Sequence, residues 1–191
     1  MKRICINCGS NNGAAPEYLE YAKKLGKYLA SQNIELVYGG ADVGLMGAVA
    51  NSALLEGGTV IGVIPKSINS KVGHKSLTEL HVVENMHERK TKMFELSDGF
   101  IGLPGGIGTL EEIFEILTWA QLGFHSKPCG ILNINGYFNQ LLQFLEHSVH
   151  QQFLKEGHKN MLIVANEPEE ILQKFKSYEA PKINKWIENV E

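Results

Sequence analysis

The chain has 191 residues, 43% of them hydrophobic, and its 18 basic and 21 acidic side chains give a formal net charge of −3. This length predicts one globular domain with a sizeable core, and the near-neutral charge excludes a global basic surface for nucleic acid. The apolar run within residues 1–8 is too short for a signal-peptide core or a membrane span. We therefore expect a cytoplasmic protein that has neither nucleic acid nor a membrane among its partners.

Short β-branched runs alternate with longer helical patterns, which is typical of an α/β fold around a parallel sheet. Strands are predicted at 3–8, 34–38, 59–64, 80–84, 99–103, 129–133 and 161–164. Helices are predicted at 16–32, 44–56, 86–97, 109–123, 137–154 and 168–177. Several strands are continuous apolar runs, which indicates that helices cover both faces of the sheet. The expected fold is a three-layer, doubly wound, Rossmann-like sandwich with a mainly parallel sheet.

Two segments show no clear periodicity. Residues 65–78 carry several basic side chains and are predicted to form a loop that crosses the strand ends. Residues 179–191 contain an isolated Trp186-Ile187 pair, which is too little for a core of its own. The expected organisation is a single nucleotide-binding domain at 1–178 followed by a C-terminal tail at 179–191.

The cysteines and histidines give no sign of a metal site. Cys5, Cys8 and Cys129 form no disulfide framework, which suits a reducing compartment. Cys5 and Cys8 have the C-x-x-C spacing, but positions i and i+3 of a strand point to opposite faces. The seven histidines show no metal-ligand spacing. We expect buried thiols, no metal and no cofactor.

Two glycine-rich loops each follow a predicted strand and lead into a helix. They span 39–47 and 104–109, and neither matches the dinucleotide or P-loop fingerprint, which disfavours a nicotinamide enzyme or a P-loop nucleotidase. The second loop, Pro-Gly-Gly-Ile-Gly-Thr, places backbone N–H groups at a helix N-terminus, where an anion is favoured. Its glycines remove side-chain bulk and permit positive φ. This loop predicts a phosphate site, and the alternative is a tight turn into a well-packed helix.

A glutamate follows the second loop by one helical turn. Residues 109–112, Thr-Leu-Glu-Glu, match the capping box, in which the glutamate bonds back to the start of its own helix. The spacing therefore leaves both a capping and a catalytic role open, and it does not separate Glu111 from Glu112.

The helix predicted at 86–97 carries two cations on its apolar side. Winding the sequence at about 100° per residue places Arg89 and Lys90 there. Because buried cations are unfavourable unless they are paired, their position indicates an anionic ligand or a carboxylate partner. Long side chains that extend to solvent from the edge of the core, or a purely structural ion pair, are the alternatives.

The chain resembles the LOG (Lonely Guy) family of cytokinin riboside 5′-monophosphate phosphoribohydrolases, proteins once labelled lysine decarboxylases. The resemblance rests on Cys-Gly-Ser at 8–10, the glycine loop at 39–47, Met-His-Glu-Arg-Lys at 86–90, the run at 104–112 and Leu-Thr-Trp-Ala-Gln-Leu-Gly at 117–123. It implies hydrolysis of the N-glycosidic bond of a nucleoside 5′-monophosphate, either AMP or an N6-substituted AMP. It also implies a homodimer with the active site near the subunit interface.

The resemblance also implies roles for individual residues. The catalytic arginine corresponds to Arg89 and the catalytic glutamate to Glu112, which resolves the choice between Glu111 and Glu112. The residues expected to contact substrate are Ser10, Gly39, Gly40, Met86, Lys90, Gly105, Gly106, Ile107, Gly108, Thr109, Leu110, Glu111 and Thr118.

The sequence departs from the family at one position. Relatives often carry an acidic residue, an aliphatic residue, a small residue and histidine before the fourth strand, and here that run is Lys71-Val72-Gly73-His74. The preferred base therefore stays open. Two other functions are considered: a non-catalytic carrier of a nucleotide or an anionic cofactor, and a pyridoxal-phosphate decarboxylase suggested only by the old family label.

Overall fold

The computed structural model describes residues 1–181, and its centre is one parallel sheet of seven strands. The strands are β1 (Arg3–Asn7), β2 (Glu35–Tyr38), β3 (Val60–Pro65), β4 (Glu79–Val83), β5 (Gly99–Gly102), β6 (Cys129–Leu132) and β7 (Leu162–Ala165). Their order across the sheet is β4-β3-β2-β1-β5-β6-β7. All seven predicted strands are confirmed.

Eight α-helices and one short 3₁₀ turn at Ile134–Gly136 connect the strands of the described chain. The helices are α1 (Pro16–Ser31), α2 (Gly44–Leu55), α3 (Lys66–Val72), α4 (Met86–Leu96), α5 (Ile107–Gln121), α6 (Asn139–His150), α7 (Glu156–Lys159) and α8 (Pro168–Lys176). The six predicted helices are all present, with α6 shorter than the predicted 137–154. The tail predicted from residue 179 lies, from residue 182 onward and including Trp186-Ile187, outside the described residues.

The prediction of a loop across 65–78 is wrong over its first half, because α3 occupies Lys66–Val72. This helix has seven residues, no buried side chain and no side-chain N-cap, since Pro65 precedes it. Ile68 and Val72 are its only two apolar residues. A helix this short gives no amphipathic repeat, which is why the sequence pattern does not reveal it.

Helices cover both faces of the sheet, which confirms the three-layer architecture. One hydrophobic cluster joins the sheet to α1, α2 and α8, and the second joins it to α4, α5 and α6. Cys8 lies in the first cluster and Cys5 in the second, so the C-x-x-C pair is split between the two faces as predicted. All three cysteines are free and buried.

The strand order reverses at the centre of the sheet, where β1 pairs with β2 on one side and with β5 on the other. Ligands of open α/β sheets bind beyond the carboxyl ends of the strands at such a reversal. The loops that follow β1 and β5 meet there, because the Gly9 N–H donates to the Pro104 carbonyl at 3.0 Å. The fold thus brings two of the sequence-predicted segments to one place.

None of the helices within residues 1–181 has the length and apolar character needed to cross a membrane.

Candidate active site

Arg89 lies in the first turn of α4, near the carboxyl end of the sheet. A cap fixes the start of this helix: the Asn85 side chain accepts from the Glu88 N–H at 2.9 Å, and the Glu88 carboxylate accepts from the Glu84 N–H at 2.9 Å. Arg89 is only 8% exposed, and its Nε donates to the Val63 carbonyl at 3.2 Å. The guanidinium is therefore held against β3 with its remaining donors directed elsewhere.

The partner of Arg89 is Glu112. Arg89 Nη1 donates to Glu112 Oε1 at 2.5 Å, and the two side chains are 9% and 15% exposed. A charge-assisted pair in so dry a place is strong, and removal of one partner leaves a buried charge without compensation. Arg89 faces inward as predicted, and of the anionic ligand or carboxylate partner expected for it the structure shows the carboxylate, a geometry that a purely structural ion pair shares.

The capping alternative for Glu112 is not what the structure shows. Helix α5 begins at Ile107, with Gly106 as its N-cap residue and no side-chain cap, so Thr109 is the third helical residue and Glu112 the sixth. A side chain that deep in the helix is beyond the unpaired N–H groups of the first turn. Glu112 is therefore committed to Arg89 and not to its own helix start.

Lys90 is paired with the outer carboxylates of α5. Its Nζ donates to Glu111 Oε1 at 2.5 Å and to Glu115 Oε1 at 2.9 Å. Burial by itself lowers the pKa of Lys90, but the hydrogen bonds to Glu111 and Glu115 more than compensate and raise it above its usual value. Two consecutive cations of α4 thus bind three carboxylates of α5, and they fix the two helices against each other.

Gly39 packs directly against the Arg89 side chain. A Cβ added to Gly39 would overlap the Arg89 guanidinium and come within 2.6 Å of the Met46 side chain. The glycine at this position is therefore required by the close approach of the arginine. This contact places the first glycine-rich loop next to the ion pair.

The start of α5 exposes backbone donors. The N–H groups of Gly106, Ile107, Gly108 and Thr109 have no acceptor among residues 1–181, and the first three of these residues are exposed whereas Thr109 is buried. A Cβ on Gly106 or Gly108 would meet nothing within 4 Å, whereas one on Gly105 would overlap Thr109 and lie 2.8 Å from the Gly9 nitrogen. None of the three glycines uses the positive φ that glycine permits. Gly105 is needed for packing, and Gly106 and Gly108 leave the backbone open.

A cleft of about 430 Å³ lies beside Gly106, the first of these donor residues. Its lining comes from the loops after β1 and β5, from α1 and α2, and from the residue after the 3₁₀ turn, and comprises Gly9, Ser10, Asn11, Asn12, Gly13, Ala14, Tyr18, Leu45, Pro104, Gly105, Gly106 and Tyr137. Ser10, Gly105 and Gly106 were expected here. Tyr18 and Tyr137 were not, and only their separate positions in the chain were visible in the sequence.

The first glycine-rich loop is packed rather than open. The Leu45 N–H at the start of α2 donates to the Gly9 carbonyl at 3.1 Å, and Gly44, at φ 54°, lies against Ser10 and Asn11. The Gly40 carbonyl accepts from the His74 N–H at 2.9 Å. At the start of α2, then, the Leu45 N–H is already bound within the protein, and the residues before the helix pack against neighbouring loops.

The segment after α3 is bound to the first glycine-rich loop. The Asp42 N–H donates to the Val72 carbonyl at 2.9 Å, and an antiparallel bridge joins Ala41 to Gly73. His74 is 5% exposed, with Nδ1 accepting from the Ser76 N–H at 3.2 Å and Nε2 lying 3.1 Å from Asn51 Oδ1. Lys71, the residue that departs from the family pattern, is exposed at the end of α3. It directly precedes the residues that are hydrogen-bonded to the first glycine-rich loop.

Several expected site residues lie apart from the ion pair. Thr118 is exposed on α5 and donates to the Phe114 carbonyl at 2.7 Å, in a groove lined by residues of α5 and α6 and of 153–162. Met86 and Ile107 are exposed at the starts of α4 and α5, and Leu110 packs partly against the second hydrophobic cluster. The described chain brings together Arg89, Glu112 and Gly39, but not Thr118.

Comparison with known proteins identifies relatives over nearly the whole chain. A family profile described as "Possible lysine decarboxylase" matches residues 46–175. The chain is 46% identical to the cytokinin riboside 5′-monophosphate phosphoribohydrolase of Rhodococcoides fascians, a match that covers 92% of this chain and 90% of the relative. It is 44% identical to an Arabidopsis thaliana protein of the same name, with 93% of this chain and 84% of that protein covered.

Solved structures share the fold at lower identity. The molybdenum cofactor binding protein of Rippkaea orientalis has a TM-score of 0.70 at 25% identity, and the match covers 93% of this chain and 97% of that one. The molybdenum cofactor carrier protein of Chlamydomonas reinhardtii has a TM-score of 0.67 at 20% identity, with 92% and 96% covered. Together with the ion pair and the open loop, the sequence matches establish that this chain belongs to the LOG family of cytokinin riboside 5′-monophosphate phosphoribohydrolases.

Proposed function

We propose that this protein hydrolyses the N-glycosidic bond of a nucleoside 5′-monophosphate, AMP or an N6-substituted AMP, to free base and ribose 5-phosphate. The observation that carries the proposal is the Arg89–Glu112 pair, which lies one to two helical turns from the open N–H groups of the three exposed residues Gly106, Ile107 and Gly108 at the start of α5. A carboxylate and an anion site at that separation match the two ends of a ribose 5-phosphate. The names of the relatives supply the bond to be broken.

The open N–H groups would hold the 5′-phosphate. Backbone amides at a helix N-terminus favour an anion through both hydrogen bonding and the helix dipole. Gly106 and Gly108 leave room for the phosphate oxygens to approach, and Ser10 borders the same cleft. Lys90 and Glu111 form an ion pair beside this turn. The proposed substrate-binding set is completed by these two residues and by Gly39, Gly40 and Met86.

The chemistry would centre on Glu112. Cleavage of the bond between the ribose C1′ and the base nitrogen develops positive charge on the ribose and negative charge on the base. Glu112, as a carboxylate, would stabilise the ribosyl cation and accept a proton from the water that attacks C1′. Arg89 would hold the carboxylate in place and neutralise charge on the phosphate or on the departing base. The proton that Glu112 takes from water would pass to the base nitrogen, so that water is added across the broken bond.

The carrier alternative is not favoured. The matches named phosphoribohydrolases share 42% to 46% identity with this chain, whereas the molybdenum cofactor binding and carrier proteins share 18% to 25%. A carrier needs anion donors but gains little from a carboxylate held by a buried arginine.

The direct test is an incubation of the purified protein with AMP, GMP, CMP and an N6-substituted AMP, followed by chromatography of free base and ribose 5-phosphate. Release of base from at least one nucleotide is expected, and release from none contradicts the proposal. Glu112→Gln should lower kcat by about 10²- to 10⁴-fold. Glu146→Gln, an exposed position on α6 that pairs with Lys159, is the matched control. Circular dichroism confirms that each variant is folded.

Three further features are proposed with this activity. Residues 1–178 would act as a single nucleotide-binding domain, and the three free cysteines suit a cytoplasmic location. A homodimer is supported by the exposed aromatic ring of Phe153, which lines the groove that holds Thr118. In such a dimer this groove would lie at the subunit interface. Light scattering coupled to size-exclusion chromatography distinguishes one copy from two.

A further inference from the structure

The side chain of Tyr137 forms a hydrogen bond with the second glycine-rich loop. Within residues 1–181 this is the one side-chain hydrogen bond that reaches the loop across the cleft. The Tyr137 hydroxyl donates to the Gly105 carbonyl at 2.7 Å, which joins the connection after β6 to the loop after β5, 32 residues away in the chain. Both residues line the 430 Å³ cleft. The bond therefore acts on the segment that carries the open N–H groups.

The peptide between Gly105 and Gly106 is the part of the loop that most needs such a restraint. Neither residue has a Cβ, so this peptide plane has unusual freedom to rotate. The peptide bond is trans, as are all those of the described chain, and the carbonyl and the N–H of a trans peptide point in opposite directions. A hydroxyl that fixes the Gly105 carbonyl thereby fixes the direction of the Gly106 N–H.

Tyr137 is itself well held. It follows a turn in which Asn135 and Gly136 adopt left-handed backbone, at φ 50° and 69°. The next residue, Phe138, is buried, and its N–H donates to the Asn133 side chain at 2.7 Å. The ring of Tyr137 packs edge to face against Tyr18 with 5.6 Å between ring centroids. The ring contact and the neighbouring backbone thus restrict the position of the hydroxyl, although Tyr137 itself is 40% exposed.

We propose that Tyr137 is a positioning residue for phosphate: its hydroxyl pre-orients the Gly106 N–H so that the loop binds the 5′-phosphate of the substrate without rearrangement. This inference rests on the proposed function. Pre-orientation removes part of the entropic penalty of binding, so the effect falls on affinity for phosphorylated ligands. It leaves the chemistry at Glu112 unchanged.

Tyr137→Phe removes only the hydroxyl and keeps the ring packing. The variant should raise KM for AMP by about 3- to 10-fold, the usual range for one hydrogen bond, with kcat within about twofold of wild type. The dissociation constants of ribose 5-phosphate and of inorganic phosphate, measured by calorimetry, should rise by the same factor. Tyr28→Phe removes a hydroxyl from α1 outside the cleft and is the matched control.

The outcomes separate this inference from the proposed function. If wild type cleaves no nucleotide, the proposed function fails, and the calorimetric comparison still decides the role of Tyr137. If wild type is active and Tyr137→Phe leaves both KM and the two dissociation constants unchanged, the positioning role is overturned. A fall in kcat with unchanged KM also overturns it, because that result assigns the hydroxyl to the chemical step.

Discussion

At the scale of single residues, glycine occupies the three positions of the second loop for different physical reasons. Gly105 is required because Thr109 and Gly9 leave no space for a Cβ. Gly106 and Gly108 have open space around them and no positive φ. Folding alone does not demand glycine at these two positions, so their small size is best explained by a ligand that approaches the backbone.

Gly108→Ala should therefore separate stability from activity. Alanine is favoured over glycine within a helix by up to about 1 kcal/mol, so the free energy of unfolding should stay constant or rise slightly. The added methyl group occupies space proposed for phosphate, so KM for AMP should rise at least severalfold. Urea denaturation and steady-state kinetics measure the two effects.

Gly105→Ala provides the contrast within the same loop. Its methyl group would overlap Thr109, so this variant should lose both stability and activity. If Gly108→Ala retains wild-type KM, the phosphate is not bound at this turn.

At the scale of elements, α3 and the residues after it act as a strap on the first glycine-rich loop. Backbone bonds join Val72 and His74 to residues 40–42, and the buried His74 connects Asn51 to Ser76. The Asn51 side chain in turn donates to Asp42 at 3.0 Å. Gly39 precedes the residues that the strap binds, and it packs against Arg89. The strap therefore supports the loop on which the arginine rests.

His74→Ala should loosen the strap. The substitution leaves the Ser76 N–H and Asn51 Oδ1 without their partner, which typically lowers the free energy of unfolding by about 1–3 kcal/mol. Because the loop beside Arg89 gains freedom, KM for AMP should rise as well. His150→Ala, at an exposed position of α6, should change neither quantity. Thermal unfolding and kinetics of both variants check the expectation, and an unchanged His74→Ala protein contradicts it.

The elements also show which features of the structure could be predicted from the sequence. Strands and long helices follow from hydrophobic periodicity, and Arg89 and Glu112 follow from helix geometry and a family motif. The choice between cap and ion pair for Glu112 depends on where α5 begins, two residues before the predicted start. Tyr137 depends on a contact between segments 32 residues apart, which no local pattern encodes. Local signals predict the elements, and long-range contacts decide what their side chains do.

At the scale of the whole molecule, polar contacts also join the amino ends of the central strands, at the end of the sheet opposite the site. Arg3 donates to Glu35 between β1 and β2, and the Asp98 carboxylate accepts from the N–H groups of Lys2 and Arg3. The hydrogen bond from Arg3 holds the pKa of Glu35 below its usual value of 4.5. Burial works against Asp98, but its backbone hydrogen bonds still keep its pKa below 3.8.

These lowered pKa values predict acid sensitivity. A carboxylate whose pKa is lower in the folded state contributes stability above its unfolded pKa and loses it as the pH falls through the folded value. The free energy of unfolding should therefore decline as the pH drops below about 4.5. Glu35→Gln should weaken this decline, and Glu20→Gln, at an exposed position of α1, should not. Denaturation curves from pH 7 to pH 3 give the slopes, and equal slopes for wild type and Glu35→Gln would rule the contribution out.

The ion pair between Arg89 and Glu112 also constrains how the chain tolerates change. Each side chain is charged and nearly buried. Loss of either one therefore leaves the other as a buried charge without its partner. Replacement of both by apolar residues of similar size removes the problem along with the chemistry. The two positions are therefore energetically coupled, and the double replacement should be less harmful to folding than the sum of the single ones. Divergence away from catalysis on this scaffold would have to pass through an unstable single variant or change both helices together.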